Sequence, residues 1–172
     1  LTTEALLEHY RSLDTNLIKE LINKSVSEIY EIEIKEEESF PNSTLDADRL
    51  LKLVEKMASG KNFLDVGAGF GHFSKKASEL DFRVTALEAN EIEREVFYKI
   101  TGFKASPEFL DEGFSEKHIG EFDAILMSRV LEHMTWKQNP VALVKNMLRN
   151  NGIVAIAVPN HRSIFARLLG RS

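Results

Sequence analysis

The 172-residue chain contains no cysteine. That excludes disulfide cross-links and thiolate metal sites, and a reducing, cytoplasmic compartment fits. No apolar run approaches the roughly 20 residues that span a bilayer, and no secretory pattern is visible. Positive charge is the minority: 22 Lys and Arg against 27 Asp and Glu leave a net charge of -5, with no general pull toward nucleic acid. His72, His118, His133 and His161 lie in separate segments with no i, i+4 histidine pair, so no metal is expected. What remains is ordinary globular material, 43% hydrophobic and 28% charged, of a length that fits one domain with a real core.

Only nine glycines occur, and three of them fall together in Asn62-Phe63-Leu64-Asp65-Val66-Gly67-Ala68-Gly69-Phe70-Gly71-His72-Phe73. The stretch opens as a short apolar run, which reads as a buried strand, and then places glycine at every second position. From Phe73 to Leu80 the spacing turns helical, with Phe73, Ala77 and Leu80 on one face. A strand that turns on glycines into a helix lets a ligand lie against bare backbone near the free N–H groups of the helix start. An ordinary glycine-rich βα turn has the same look, so the spacing matters. A dinucleotide fingerprint, G-x-G-x-x-G, needs a glycine at position 72, where this chain has His72. Here the glycine comes one place early, giving Asp65-x-Gly67-x-Gly69-x-Gly71. Phe82 to Glu88 reads as a second strand ending in an acid about 20 residues beyond the glycines, where a carboxylate can accept hydrogen bonds from a ribose diol.

This pattern resembles motif I and the next strand of the class I S-adenosylmethionine-dependent methyltransferases, and the likeness runs from about Asn42 to Arg167. The resemblance implies an α/β three-layer sandwich on a parallel, Rossmann-like sheet of strand order 3-2-1-4-5, with S-adenosyl-L-methionine as cofactor. It implies that Gly67, Ala68, Gly69 and Gly71 bring backbone to the cofactor. Asp65 would fix the turn or reach the methionine amine through water, and Glu88, followed by Ala89, would hold the ribose. The family usually has an acid after the third strand to meet the adenine amino group, but position 106 here is Ser. An adenine contact is expected from Ser106 to Phe109, with Glu108 or Asp111 serving only if the loop is rearranged. Ser128 and Arg129 would meet the methionine part of the cofactor at the sheet's carboxyl edge. Val130-Leu131-Glu132-His133 looks like the matching turn of small-molecule methyltransferases, including quinone-biosynthesis and sugar-modifying ones. His133, whose charge changes near neutral pH, is the candidate general base, the alternative being a histidine packed behind the turn.

Elsewhere, residues 3 to 23 carry the stripe of an amphipathic helix. Residues 26 to 38 read equally as an edge strand or a helix. Ser43 or Thr44 would cap a helix over Asp46 to Ala58, with Leu50, Leu51, Val54 and Met57 toward the sheet. A helix from Glu91 to Thr101 turns Val96, Phe97 and Ile100 inward, and Phe103 to Ala105 makes a poor third strand. Glu121 to Ser128 is a clear fourth strand. Pro140 starts a helix through Leu148 with Val141, Val144, Met147 and Leu148 inward. Asn150-Asn151-Gly152 is a helix stop, and Ile153 to Val158 reads as a strand covered on both faces.

Two segments follow: a helical front, residues 1–60, as cap or lid, with Phe40 and Asn42 as lid candidates, and a core, residues 61–172. The family fold adds two further strands, so the core is expected to be C-terminally incomplete. The fifth strand would then keep an unpaired edge, through which a homodimer is expected. A basic helix near Ser163 to Arg171 reads as a surface helix, with membrane contact as its lesser alternative. The activity implied is methyl transfer to an oxygen or nitrogen of a small acceptor. A non-catalytic S-adenosylmethionine-binding or scaffolding domain is the rival, and a nucleotide-dependent oxidoreductase a weaker one.

Overall fold

The computed structural model of the chain describes residues 24–39, 42–134 and 139–158. The helix expected over residues 3 to 23, Phe40 as a lid residue, and the basic helix beyond Ser163 lie outside them. The chain divides into two compact units, Leu1–Pro41 and Asn42–Ser172.

In the first unit, residues 26 to 38 are helical: α1 runs Val26–Ser39. The cause sits at its start. Ser25 Oγ accepts from the Glu28 amide at 3.3 Å, while the Glu28 carboxylate accepts from the Ser25 amide at 2.7 Å. This reciprocal capping box satisfies two amides that a helix start leaves open.

The second unit begins with α2 (Asn42–Met57) and so includes a helix that the sequence assigns to the front segment. Because α2 starts at Asn42, Ser43 and Thr44 lie within it rather than capping it. Leu51 and Val54 are buried as expected, but Met57 is 58% exposed. Then follow β1 (Asn62–Val66), α3 (His72–Glu79), β2 (Arg83–Leu87), α4 (Glu91–Thr101), α5 (Glu112–Lys117), β3 (Phe122–Ser128), a 3-10 turn (Leu131–His133), α6 (Pro140–Met147) and β4 (Leu148–Ala157). The sheet has the order β2-β1-β3-β4, with every pairing parallel.

The third strand of the expected order is reduced to one parallel bridge, Leu87 to Ser106, on the outer side of β2. Pairing stops there: the next amide that could face β2, that of Glu108, donates instead to Ser106 Oγ at 3.2 Å, and the Glu88 carbonyl accepts from Arg94. β3 and β4 therefore stand where the expected fourth and fifth strands would.

Successive strand residues point to opposite faces, which makes three layers. Phe63, Ala124 and Leu126 pack with Leu51, Val54 and Ala77 beneath α2 and α3. Leu64, Val66, Ile125 and Met127 pack with Phe114, Leu143, Val144 and Met147 beneath α5 and α6. Val141, expected inward, is 70% exposed, and Leu143 takes its place in the core. Leu148 belongs to β4 rather than to the helix.

β4 also departs from expectation. Asn150-Asn151-Gly152 is not a break but an irregularity inside the strand: Phe122 pairs with Leu148 and Ala124 with Ile153, and Asn151 has φ 63°. Nor is the strand covered on both faces, since Val154, Ile156 and Val158 are 37%, 51% and 56% exposed.

The amino ends of the strands are closed by polar contacts. Asp123 Oδ2 accepts from the Asn62 amide at 2.9 Å and from Arg149 at 3.2 Å. Arg83 Nε donates to Asn62 Oδ1 at 2.7 Å. Lys61 donates to the Leu80 carbonyl at 2.8 Å and lies over the Phe82 ring.

Candidate active site at the carboxyl edge

The turn between β1 and α3 is built by three glycines with φ of 65°, 53° and 92° at Gly67, Gly69 and Gly71. They serve different ends. A Cβ on Gly67 would lie 2.5 Å from Val130 Cγ2, and one on Gly71 would lie 2.6 Å from Phe97 Cδ2. These two glycines let neighbouring elements close on the turn. At Gly69 the nearest atom to such a Cβ is Glu93 Oε2, at 3.8 Å. Among the described residues its bare face is thus open, as backbone meeting a ligand should be. Ala68 is held from behind, its amide donating to the Leu87 carbonyl at 2.9 Å while its carbonyl accepts from Gly71 at 3.0 Å.

Asp65 is fully buried beneath the turn, where Ser74 Oγ of α3 donates to its Oδ2 at 2.7 Å. Burial pushes its carboxyl up to about 7; the Ser74 bond opposes that rise, and the Glu88 charge adds to it. Of the two roles foreseen for Asp65, this geometry serves the first: it ties the turn to the helix that follows.

Glu88 stands just past β2, 8% exposed, with each carboxylate oxygen already carrying one backbone donor. Gly69 donates to Oε2 at 2.9 Å and Asn90 donates to Oε1 at 2.8 Å. The acid is therefore locked onto the open glycine before any ligand arrives. Each oxygen keeps a further acceptor direction. Arg94 donates to the Glu88 and Ala89 carbonyls, at 3.0 and 2.6 Å, fixing the loop from the other side. Asn90 caps α4 by accepting from the Ile92 and Glu93 amides.

Ser106 is brought beside Glu88 by the lone bridge: its amide donates to the Ala86 carbonyl at 2.8 Å and its carbonyl accepts from Glu88 at 2.9 Å. Its hydroxyl donates to Glu108 Oε2 at 3.0 Å, and Lys117 pairs with the same carboxylate at 3.3 Å. These hydrogen bonds, the Ser106 one first, hold Glu108 below the usual carboxylate range. Asp111 caps α5, accepting from the Phe114 amide at 2.8 Å.

Ser128 ends β3 half-buried, and Arg129 follows at φ 56°, a backbone region that a long side chain rarely enters. Its amide donates to the Ala157 carbonyl at 2.8 Å, the last tie before the chain leaves the sheet. Val130 then packs against Gly67, and His133 closes the 3-10 turn with its amide on the Val130 carbonyl at 3.0 Å. Glu93, which the sequence does not single out, borders this turn, with its Oε2 3.8 Å from the position of a Gly69 Cβ. It is the third residue of α4, and nothing in its spacing distinguishes it from a solvated acid in a first helical turn.

A family model described as a methyltransferase domain matches residues 42–171. A ubiquinone biosynthesis O-methyltransferase from Caulobacter vibrioides is 28% identical over 109 residues, covering 59% of this chain and 42% of that protein. Among solved structures, a SAM-dependent methyltransferase from Archaeoglobus fulgidus superposes with a TM-score of 0.63 at 17% identity, over 78% of this chain and 61% of the other. The plantazolicin methyltransferase BpumL, solved in complex with SAH, gives 0.61 at 18% identity, over 95% and 60%. At these identities the structural likeness speaks for the fold. The chain spans 42% to 61% of the length of these proteins.

Proposed function

This chain belongs to the methyltransferase-domain family, and we propose that its second unit binds S-adenosylmethionine and transfers the methyl group to an oxygen or nitrogen of a small-molecule acceptor. The observation that carries the proposal is the carboxylate of Glu88, held by the Gly69 and Asn90 amides beside the glycine turn. A vicinal diol needs such an acceptor, and an adenosyl group needs such a bare surface. The net charge of -5 favours a small acceptor over nucleic acid.

The cofactor supplies a methyl carbon already activated by a sulfonium. The protein's task is alignment at near-contact distance, which can lower the barrier by several kcal/mol without a nucleophile or a metal. Gly67, Gly69 and Gly71 shape the floor, and Glu88 holds the ribose. In this reading Ser128 and Arg129 meet the methionine end. The acceptor's proton leaves to His133 on the 3-10 turn after β3. At the outer edge of β4, where no strand pairs among the described residues, exposed Val154, Ile156 and Val158 support association with a second copy. Sedimentation of a monodisperse monomer would count against that contact.

Calorimetry with S-adenosylmethionine, S-adenosylhomocysteine and NAD tests the assignment. The first two should bind and NAD should not; NAD binding alone would sink it. Methyl transfer from labelled cofactor into a metabolite extract then identifies the acceptor.

A further inference from the structure

Glu93 borders the open face of the glycine turn. Its Oε2 lies 3.8 Å from where a Gly69 Cβ would stand, and among the described residues, the chain neighbours of Gly69 aside, no other atom comes within 4 Å of that point. The side chain is half-buried, and its carboxyl makes no hydrogen bond or ion pair among the described residues. The backbone beneath it is fixed, with the Glu93 amide donating to Asn90 Oδ1 at 3.2 Å. A half-buried carboxyl without a partner costs free energy that a donor on a ligand would recover.

Glu88 is the complementary case. Each of its oxygens already carries a backbone amide and keeps one further acceptor direction. A ribose presents two adjacent hydroxyls. We propose that Glu93 is a ligand-binding residue of this site, a second carboxyl that accepts from one hydroxyl of the ribose diol while Glu88 accepts from the other. The assignment rests on the S-adenosylmethionine reading given above.

The electrostatics agree. Burial first, and then the Glu88 charge, push the Glu93 carboxyl up to about 7. The ionisable groups on the elements around the turn include Asp65 beneath it, Glu91 and Arg94 on α4, His72, Lys75 and Lys76 on α3, and Arg129, Glu132 and His133 on the segment that packs on Gly67. Arg94 is turned to the Glu88 and Ala89 carbonyls, and Lys76 is paired with Asp48 at 2.9 Å. A hydroxyl donates best to an ionised carboxylate, so a bound diol draws Glu93 toward its charged form. By linkage, affinity then rises as pH rises through the neutral range.

The test is calorimetric titration of the chain with S-adenosylhomocysteine at pH 6 and pH 8, for the wild type and for Glu93→Gln. The glutamine keeps the volume and removes the repulsion with Glu88, so the variant should fold. The wild type should gain about fivefold more affinity between the two pH values than Glu93→Gln, as for a carboxyl whose pKa drops by about one on binding. Glu93→Gln should also show a smaller preference for adenosine over 2′,3′-dideoxyadenosine. Equal pH dependence in both proteins, or an unchanged preference for adenosine, overturns the assignment of Glu93 while leaving cofactor binding intact. A wild type that binds S-adenosylhomocysteine at neither pH overturns the S-adenosylmethionine reading, and this assignment with it.

Discussion

Asp65 and Ser74 meet beneath the glycine turn, hydroxyl to carboxylate at 2.7 Å, and neither is exposed to solvent. The pair links the end of β1 to the first turn of α3 with a group whose protonation depends on pH.

Asp65 carries a folded-state pKa of about 7 against its ordinary 3.8. The folded chain keeps a proton that the unfolded chain gives up. This group's contribution to stability is therefore complete below about pH 4 and is lost as pH rises to about 7, an upper bound of about 4 kcal/mol. Glu93 acts in the same direction. Asp65→Asn can still accept from Ser74 but cannot ionise. Its melting temperature relative to wild type should become more favourable from pH 4.5 to pH 8. Thermal unfolding followed by circular dichroism reads this, and a constant difference would count against a buried, protonating Asp65.

Gly67→Ala forces a Cβ into contact with Val130 and asks alanine to adopt φ of 65°. The two costs together should be about 2–4 kcal/mol. Combining it with Val130→Ala removes the steric part, so urea unfolding should show the double variant less destabilised than the sum of the singles by about 1–2 kcal/mol. Strict additivity would mean that backbone strain alone carries the effect.

Glu88→Ala should weaken S-adenosylhomocysteine binding about 10- to 150-fold, through the loss of charge-assisted hydrogen bonds worth about 1.5–3 kcal/mol. The Gly69 and Asn90 amides also lose their acceptor. A dissociation constant equal to wild type would mean that Glu88 does not face the ligand.

Asp123 is the control at the other end of the strands. It is 4% exposed and satisfies the Asn62 amide and Arg149. Asp123→Ala should cost about 1–3 kcal/mol in urea unfolding. Cofactor affinity should stay unchanged within error at temperatures where the variant is folded. A marked affinity loss would tie the two ends of the sheet together.

The glycine turn of the candidate site was legible in the backbone it demands. Gly67, Gly69 and Gly71 announce a turn that side chains would block, and Glu88 stands at a fixed distance beyond them. Strands β1 and β3 were legible because burial on both faces leaves mostly apolar runs, and β2, buried only at Ala86 and Leu87, because it follows the glycine turn and its helix. Readings failed where one residue type serves two states. Ile32 and Ile34 alternate like a strand, whereas the Ser25-x-x-Glu28 capping box decides for helix. The Ile153 to Val158 run is apolar throughout, yet Val154 and Ile156 face outward, because composition cannot say which face finds a cover. Glu93 was invisible for a different reason. Its position over Gly69 depends on the angle at which α4 meets the turn, which only packing sets.

The contact between Val130 and Gly67 has a consequence for building chimeras on this scaffold. The segment after β3 and the segment after β1 share a wall one methyl thick. A foreign loop grafted in place of residues 129 to 134 would import its own second residue into that wall. Anything larger than valine would lever the glycine floor out of shape, and anything smaller would leave a hollow under it. Loop exchange here is thus constrained by volume at a single position before any question of substrate chemistry arises.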